Sequence, residues 1–290
     1  MKASPVHLLP GSPSFPEELR QIDAAPVELW ARGKIELLER RPRVAIVGTR
    51  APTLYGEAQA ARFARALAAE GVCVVSGLAR GIDQAAHAGA LDAGGSSIAV
   101  LGSGVDRPWP EGELAERMAR EGLLLSEFAP GQGPRRHHFP LRNRLISALS
   151  RFVLVVEAAH ASGSLITARW AADQGRTVGA LPGRIDHPMA RGCHRLIREG
   201  ALLIETPDEV LEELGLARSA EKRPTGKPNA PRETSPTQAA LLAALQGETL
   251  AADELADRCE LTLASALTAL VELELAGAVV RGAGGLYRLA

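Results

Sequence analysis

The chain has 290 residues, 46% of them hydrophobic, enough to bury an ordinary core, and its length suits one large domain plus a small one. Lys and Arg number 33 against 34 Asp and Glu, which excludes an overall cationic field, so attraction for a polyanion must come from a local patch. Cys73, Cys193 and Cys259 stand far apart without zinc or redox spacing, which excludes a disulfide framework and points to a reducing cytoplasm with no structural metal.

Residues 1–40 are proline-rich and irregular in pattern, with a short apolar patch around Leu29 and Trp30. An N-terminal arm that packs on the following core is expected. No basic start precedes an unbroken apolar run, and nowhere do about eighteen apolar residues follow one another, so neither export nor a membrane span is indicated. From Arg43 the pattern changes: the β-branched runs VAIVG, VCVVSG, SSIAVLG, LLLSE, FVLVVEA, TVGALPG and ALLIE alternate with segments of helical period such as YGEAQAARFARALAAEG. That alternation predicts an α/β fold over 41–216, a Rossmann-like doubly wound, mostly parallel sheet covered on both faces. PDEVLEELG, begun by Pro207 and ended by Gly215, closes it as a helix.

Residues 217–236 carry four prolines, several charges and almost no large apolar residue, which predicts a flexible linker. Beyond it, 237–290 holds helical segments over Thr237–Gln246, Ala251–Cys259 and Thr262–Ala276, the last stopped by Gly277, then two short strands around a glycine-rich turn. Three helices and a β-wing predict a small winged-helix domain. Its third helix contains no Lys or Arg. From Glu233 onward there are three arginines against eight acidic residues, so this domain is expected to contact protein, either a partner or a basic patch of its own dimer, rather than DNA.

In an open parallel sheet, ligands bind beyond the carboxyl ends of the strands, so the residues after each run are the candidates. They include Gly48, Thr49 and Arg50, then Gly77 and Arg80, then Gly102, Ser103 and Gly104. Such small-residue loops let backbone N–H groups approach a phosphate. The dinucleotide fingerprint G-x-G-x-x-G is missing, with Arg50 where a glycine is needed, so no nicotinamide cofactor is expected. From Phe128 to Val156 there is no Asp or Glu, whereas Arg135, Arg136, His137, His138, Arg142, Asn143, Arg144 and Arg151 all fall there. Phe139 lies among them, and an aromatic beside arginines is the combination that stacks a base while holding its phosphate. The alternative is that Phe139 anchors the loop and the arginines pair with Glu127 and Glu157. Ser162, Gly163, Ser164 and Thr167 open the next helix and suit helix capping, anion binding or both. Glu127, Glu157, Asp83 and Asp106 are the carboxylates available for acid/base work or for balancing nearby arginines. No catalytic triad or metal set is recognisable by spacing.

The segments GTR (48–50), SGLARGID (76–83), GSGVDRPWP (102–110), LLLSEFAPG (123–131), HFPLRNRLISALS (138–150), VVEAAHASGSLITARWA (155–171) and ALPGR (180–184) together resemble the DprA/Smf family of DNA-processing proteins. The resemblance covers about Phe15 to Gly215. It implies a cytoplasmic, non-catalytic homodimer that binds and protects single-stranded DNA and loads the RecA recombinase on it during transformation. It places the phosphate-binding arginine at Arg50, a second basic contact at Arg136 where members often have lysine, the base-contacting aromatic at Phe139, and glycine-rich contacts at Gly102–Gly104 and Ser162–Ser164. Members often read Tyr-Pro where Trp109-Pro110 stands, and nothing here resembles the helical domain that many carry in front. The dimer is expected across the last strand and the helix after it, through Leu203, Val210, Leu211 and Leu214. An alternative from another class is a nucleoside-monophosphate phosphoribohydrolase, marked by P-G-G-x-G-T-x-x-E. Here Pro182-Gly183-Arg184-Ile185-Asp186 stands instead, and Arg169 and Trp170 follow the threonine of SGSLIT.

Overall fold

The computed structural model describes residues 4–216, 235–275, 278–282 and 285–289, and the chain divides into two units, Met1–Arg218 and Ser219–Ala290. In the first, the elements run β1 Val6–Leu8, α1 Glu17–Arg20, β2 Leu29–Gly33, β3 Arg43–Val47, α2 Leu54–Ala69, β4 Cys73–Ser76, α3 Ile82–Asp92, β5 Ser97–Val100 and α4 Glu113–Glu121. They continue with β6 Leu123–Ser126, α5 His138–Ala148, β7 Phe152–Val155, α6 Ser164–Asp173, β8 Thr177–Ala180, α7 Arg191–Arg198, β9 Leu202–Leu203 and α8 Pro207–Glu213.

These nine strands form one sheet in the order β1-β2-β6-β5-β4-β3-β7-β8-β9, parallel from β6 to β9. The fold is therefore Rossmann-like and doubly wound. The chain builds outward from β3 through β4, β5 and β6, then crosses back to lay β7 against the other side of β3. Strand residues divide by the two-residue period. Val44, Ile46, Val74 and Leu154 pack with Phe63, Leu67 of α2 and Ala86 of α3, whereas Ala45, Val47, Val75 and Val155 pack with Leu145 of α5 and Ala168, Ala171 of α6. Burial on both faces is why these runs read as continuous apolar stretches.

Two expectations are corrected. The N-terminal arm packs on the core as expected but is not irregular throughout: within residues 4–40, β2 pairs antiparallel with β6, from Trp30 opposite Ser126 to Gly33 opposite Leu123, and β1 pairs with β2. Leu8, Leu29 and Ala31 enter the core, so the segment covers what would otherwise be an open sheet edge. Its alternation lasts only five residues, too short to register among the prolines. Nor do Val210, Leu211 and Leu214 face a partner: they are 0, 1 and 5% exposed, packed against Phe63 and Leu67 in the chain's own core. At that end only β9 is open, with Leu202 and Leu203 at 37 and 50% exposure. Most of the expected linker, 217–234, lies outside the described residues, as do Ala276 and Gly277 at the end of the last helix.

The second unit comprises α9 Pro236–Ala244, β10 Leu250–Ala251, α10 Ala252–Arg258, α11 Leu263–Leu275, β11 Val279–Arg281 and β12 Leu286–Leu289. Its sheet order is β10-β12-β11, and Leu241, Leu245, Leu255, Leu270 and Tyr287 form its core. A capping box at Ser235 and Gln238 starts α9. Among the described residues, no helix is long and apolar enough to cross a membrane.

The loop after β4 holds Leu78 at φ +59°, a conformation costly for a leucine. His87, fully buried on α3, restrains it: the Leu78 N–H donates to Nε2 at 3.3 Å, while Nδ1 donates to Ser97 Oγ at 2.7 Å and that hydroxyl donates to the Val74 carbonyl. The set needs a neutral imidazole. Burial, with Arg142 adding to it, takes the His87 pKa down to about 3. An ordinary histidine titrates near 6.5, so the unfolded chain binds a proton here that the folded chain refuses. Stability is whole above about pH 6.5 and falls as pH drops toward 3, by up to about 1.4 kcal/mol per pH unit. In urea titrations, His87→Gln should lose part of the parent's decline in midpoint across that window. Parallel declines would remove His87 as the cause.

Candidate functional site

Where the winding reverses, between the carboxyl ends of β3 and β7, the sheet opens into a crevice of about 600 Å³. This is the position at which doubly wound sheets take ligands. Its walls are the loop after β3 (Gly48, Thr49, Arg50), the segment opening α5 (Arg136, Phe139, Asn143) and the start of α6 (Ser162, Gly163, Ser164, Thr167). The β3 loop is held down by Thr49, whose N–H donates to the Glu157 carbonyl at 2.7 Å and whose carbonyl accepts from the Ile82 N–H. Arg50 is exposed, and its guanidinium lies 5.0 Å from the centre of the Phe139 ring. The ring also lies over Gly102, where an added Cβ would meet it at 3.0 Å. Phe139 is thus half-buried between Gly102 and the Arg50 guanidinium, in the lining of the crevice. Arg136 is exposed and has no side-chain partner among the described residues.

Beneath the crevice, Arg142 is 4% exposed and donates to the carbonyls of Gly77 (2.5 Å) and Val100, joining the loops after β4 and β5 to α5. Gly77 permits this approach, because an added Cβ would lie 2.0 Å from the guanidinium. Asp83, buried 3.9 Å from that guanidinium, accepts from the N–H groups of Gly77 and Ala79. Burial pushes the Asp83 carboxyl up and takes Arg142 down to about 10, which leaves the arginine cationic at neutral pH. Asn143 donates to the Gly163 carbonyl at 3.2 Å and so holds the α6 entrance. Ser162 Oγ and Ser164 Oγ bond each other at 2.8 Å, and the Ser164 N–H points to Ser162 Oγ at 3.4 Å.

The structure therefore brings together Gly48, Thr49, Arg50, Arg136, Phe139, Arg142, Asn143, Ser162, Gly163, Ser164 and Thr167, but not every expected residue. Gly77 is occupied by Arg142. Gly102, Ser103 and Gly104 are buried and outside the lining: Ser103 Oγ donates to the Arg107 carbonyl, and the Gly104 N–H donates to the Gln132 carbonyl. Arg80 and Arg135 are exposed but lie outside the crevice. The acid-free run is not one patch either, since Arg144 is buried and bidentate on Glu127 at 2.7 and 2.6 Å, and Arg151 precedes β7 at the opposite end of the sheet.

The four carboxylates all hold structure. Glu157 accepts from the Thr53 N–H and hydroxyl at the start of α2, Asp106 accepts from the Gly131 N–H, and Glu127 and Asp83 are engaged as above. Sequence reasoning missed Ile166, which lines the crevice at 39% exposure. Its signal was the buried face Ser164, Thr167, Ala168, Ala171, which turns position 166 outward.

The family model described as DNA recombination-mediator protein A matches residues 7–215, and the DprA winged helix domain matches residues 225–285. The chain belongs to the DprA family. A DprA relative, Protein Smf of Escherichia coli, is 42% identical over 296 residues, covering 98% of this chain and 77% of that one. The crystal structure of DprA from Streptococcus pneumoniae superposes with TM-score 0.68 at 42% identity, over 72% of this chain and 74% of that one. DprA from Helicobacter pylori, whose structure is described as giving insight into a single-stranded DNA binding mode, superposes with TM-score 0.67 at 30% identity, over 74% and 98%. These matches do not favour the phosphoribohydrolase alternative.

The Arg144–Glu127 pair ties α5 to the N-terminal segment, because Arg144 also donates to the Ala24 carbonyl at 3.0 Å. Its side chains are 4 and 12% exposed. Removing one partner strands a buried charge, so Glu127→Ala should cost about 3–5 kcal/mol in urea unfolding, partly recovered by adding Arg144→Met. A loss below about 1 kcal/mol would place this pair with ordinary surface bridges.

Proposed function

We propose that the crevice binds single-stranded DNA without cleaving it. The observation that carries this is the mouth of the crevice: a half-buried Phe139 with exposed Arg50 over its ring and exposed, unpaired Arg136 beside it. With Arg50 drawn from the ring onto a phosphate, the freed face of Phe139 accepts any base, Arg136 takes a second phosphate, and the α6 start adds a favourable dipole. Membership in the DprA family and the described binding mode of the H. pylori protein support the same ligand. By family resemblance, the chain acts in the cytoplasm during transformation, protects the strand and passes it to RecA.

Binding by phosphate neutralisation weakens with salt, at about 0.7 of a logarithmic unit per phosphate contact for single strands. Arg136→Ala should therefore weaken binding of a dT oligomer and flatten the salt slope by about that much. Phe139→Ala should cost about 1–3 kcal/mol of stacking with the slope nearly unchanged. If both variants bind as the parent does, or if duplex competes equally or nucleoside monophosphates are hydrolysed, the reading is wrong.

We further propose that a homodimer forms by continuation of the sheet at β9, where Leu202 and Leu203 stand exposed at an unpaired edge. Two sites on one particle would then share a strand by avidity. Leu202→Lys with Leu203→Lys should give a monomer by light scattering, with each crevice intact. A dimer that survives moves the interface elsewhere.

A further inference from the structure

Helix α11 of the small unit carries a surface that the crevice does not use. One face, Ala266, Ala269, Leu270 and Leu273, at i, i+3, i+4 and i+7, is buried with Leu241, Leu255 and Tyr287. A second ridge, Leu263, Leu267 and Val271, runs alongside at four-residue spacing and is 48, 39 and 50% exposed. Single exposed aliphatic residues are ordinary, but two leucines and a valine aligned on one helix form a continuous apolar strip. Exposed Glu260 precedes the strip and exposed Glu274, one turn beyond Val271, follows it.

The charge at its ends decides what this strip fits. In a winged helix that reads DNA, the third helix needs basic and hydrogen-bonding side chains toward the groove. Here α11 has no Lys or Arg, and its strip is closed at both ends by carboxylates that repel phosphate. A second copy is disfavoured by the same groups. Parallel pairing of two such helices sets Glu260 against Glu260 and Glu274 against Glu274, and antiparallel pairing sets Glu260 against Glu274. The chain's own segment 217–234 is basic in sequence, but it contains no Leu, Ile, Val, Met or aromatic residue to fill an aliphatic ridge.

We propose that this ridge docks an amphipathic helix of another protein whose apolar stripe is flanked at both ends by Lys or Arg. Aliphatic side chains of the incoming helix cover Leu263, Leu267 and Val271, and its basic ends meet Glu260 and Glu274, which set orientation and exclude acidic helices. The proposal is independent of single-strand binding, because none of these residues lines the crevice.

The test uses the full chain and two labelled helical peptides of about 18 residues, long enough to hold helical structure, with one shared leucine stripe. One peptide has lysines at both ends and the other glutamates. By fluorescence anisotropy the lysine peptide should bind about tenfold tighter at low salt, and the gap should close at about 0.5 M salt. Leu263→Ser with Leu267→Ser should weaken the lysine peptide at least about tenfold while dT-oligomer affinity and the amide-proton NMR dispersion of the small unit are unchanged, the latter showing that this unit is still folded. Equal binding of the two peptides, no binding of the lysine peptide, or binding that survives the double substitution would each overturn the proposal. So would a drop in oligomer mass on the double substitution, which assigns the ridge to a second copy, or displacement of the peptide by duplex DNA, which assigns it to nucleic acid.

Discussion

The crevice rests on a guanidinium that solvent barely reaches. Arg142 sits under the floor, donating to the ends of two loops from neighbouring strands while Asp83 holds the N–H groups of one of them. Parallel strands end in carbonyls and turn abruptly into helices, so the loops beyond them have few partners of their own. One planar cation with several donors satisfies two of those loops at once, which a lysine's point charge could not do with the same geometry. Asp83 and the neutral His87 complete the frame from α3, and the unfavourable backbone of Leu78 is held between them.

That frame explains why the arginines of one acid-free run have different roles. Arg142 and Arg144 lie buried on different sides of α5, where burial demands a partner, and each has found one. Arg136 lies just before the helix begins, where the chain runs past the crevice mouth, and its charge stays in solvent. The same division applies to the acids: Glu127, Glu157 and Asp83 are consumed in holding loops, and the acid that reaches the lining, Asp83, is taken up by the N–H groups of Gly77 and Ala79 beside Arg142. An anionic ligand is favoured by what the fold has already neutralised as much as by the free arginines.

The two units divide the electrostatics as well. The large unit gathers free positive charge at one sheet edge, whereas the small unit is acidic through the helix that its fold would usually turn toward DNA. A near-neutral total therefore conceals two surfaces of opposite preference. A sum over the chain says nothing about either, because fields act over about a Debye length of 8–10 Å and not over a whole protein.

The order of strands and helices from β3 to α8, the parallel sheet and the small three-helix unit were legible in the sequence, because apolar period and turn residues are local properties that burial enforces. So was the meeting of Arg136 and Phe139 at one crevice, since an aromatic among unneutralised arginines stands out in a chain with 3% aromatics, while Arg50 was marked by its place after a strand and by the family resemblance. Three things depended on tertiary structure. Val6–Leu8 and Leu29–Gly33 became strands only because β6 offered an edge to pair with. Val210, Leu211 and Leu214 read as an open apolar face, but α8 turns them into the core, and periodicity alone cannot say which neighbour covers a face. Gly77, Arg142 and Ser103 looked like ligand groups, yet each is used up by partners 4 to 65 residues away. Residue type and spacing show what a side chain is able to do, but whether it is free to do it depends on what the folded chain has already placed beside it.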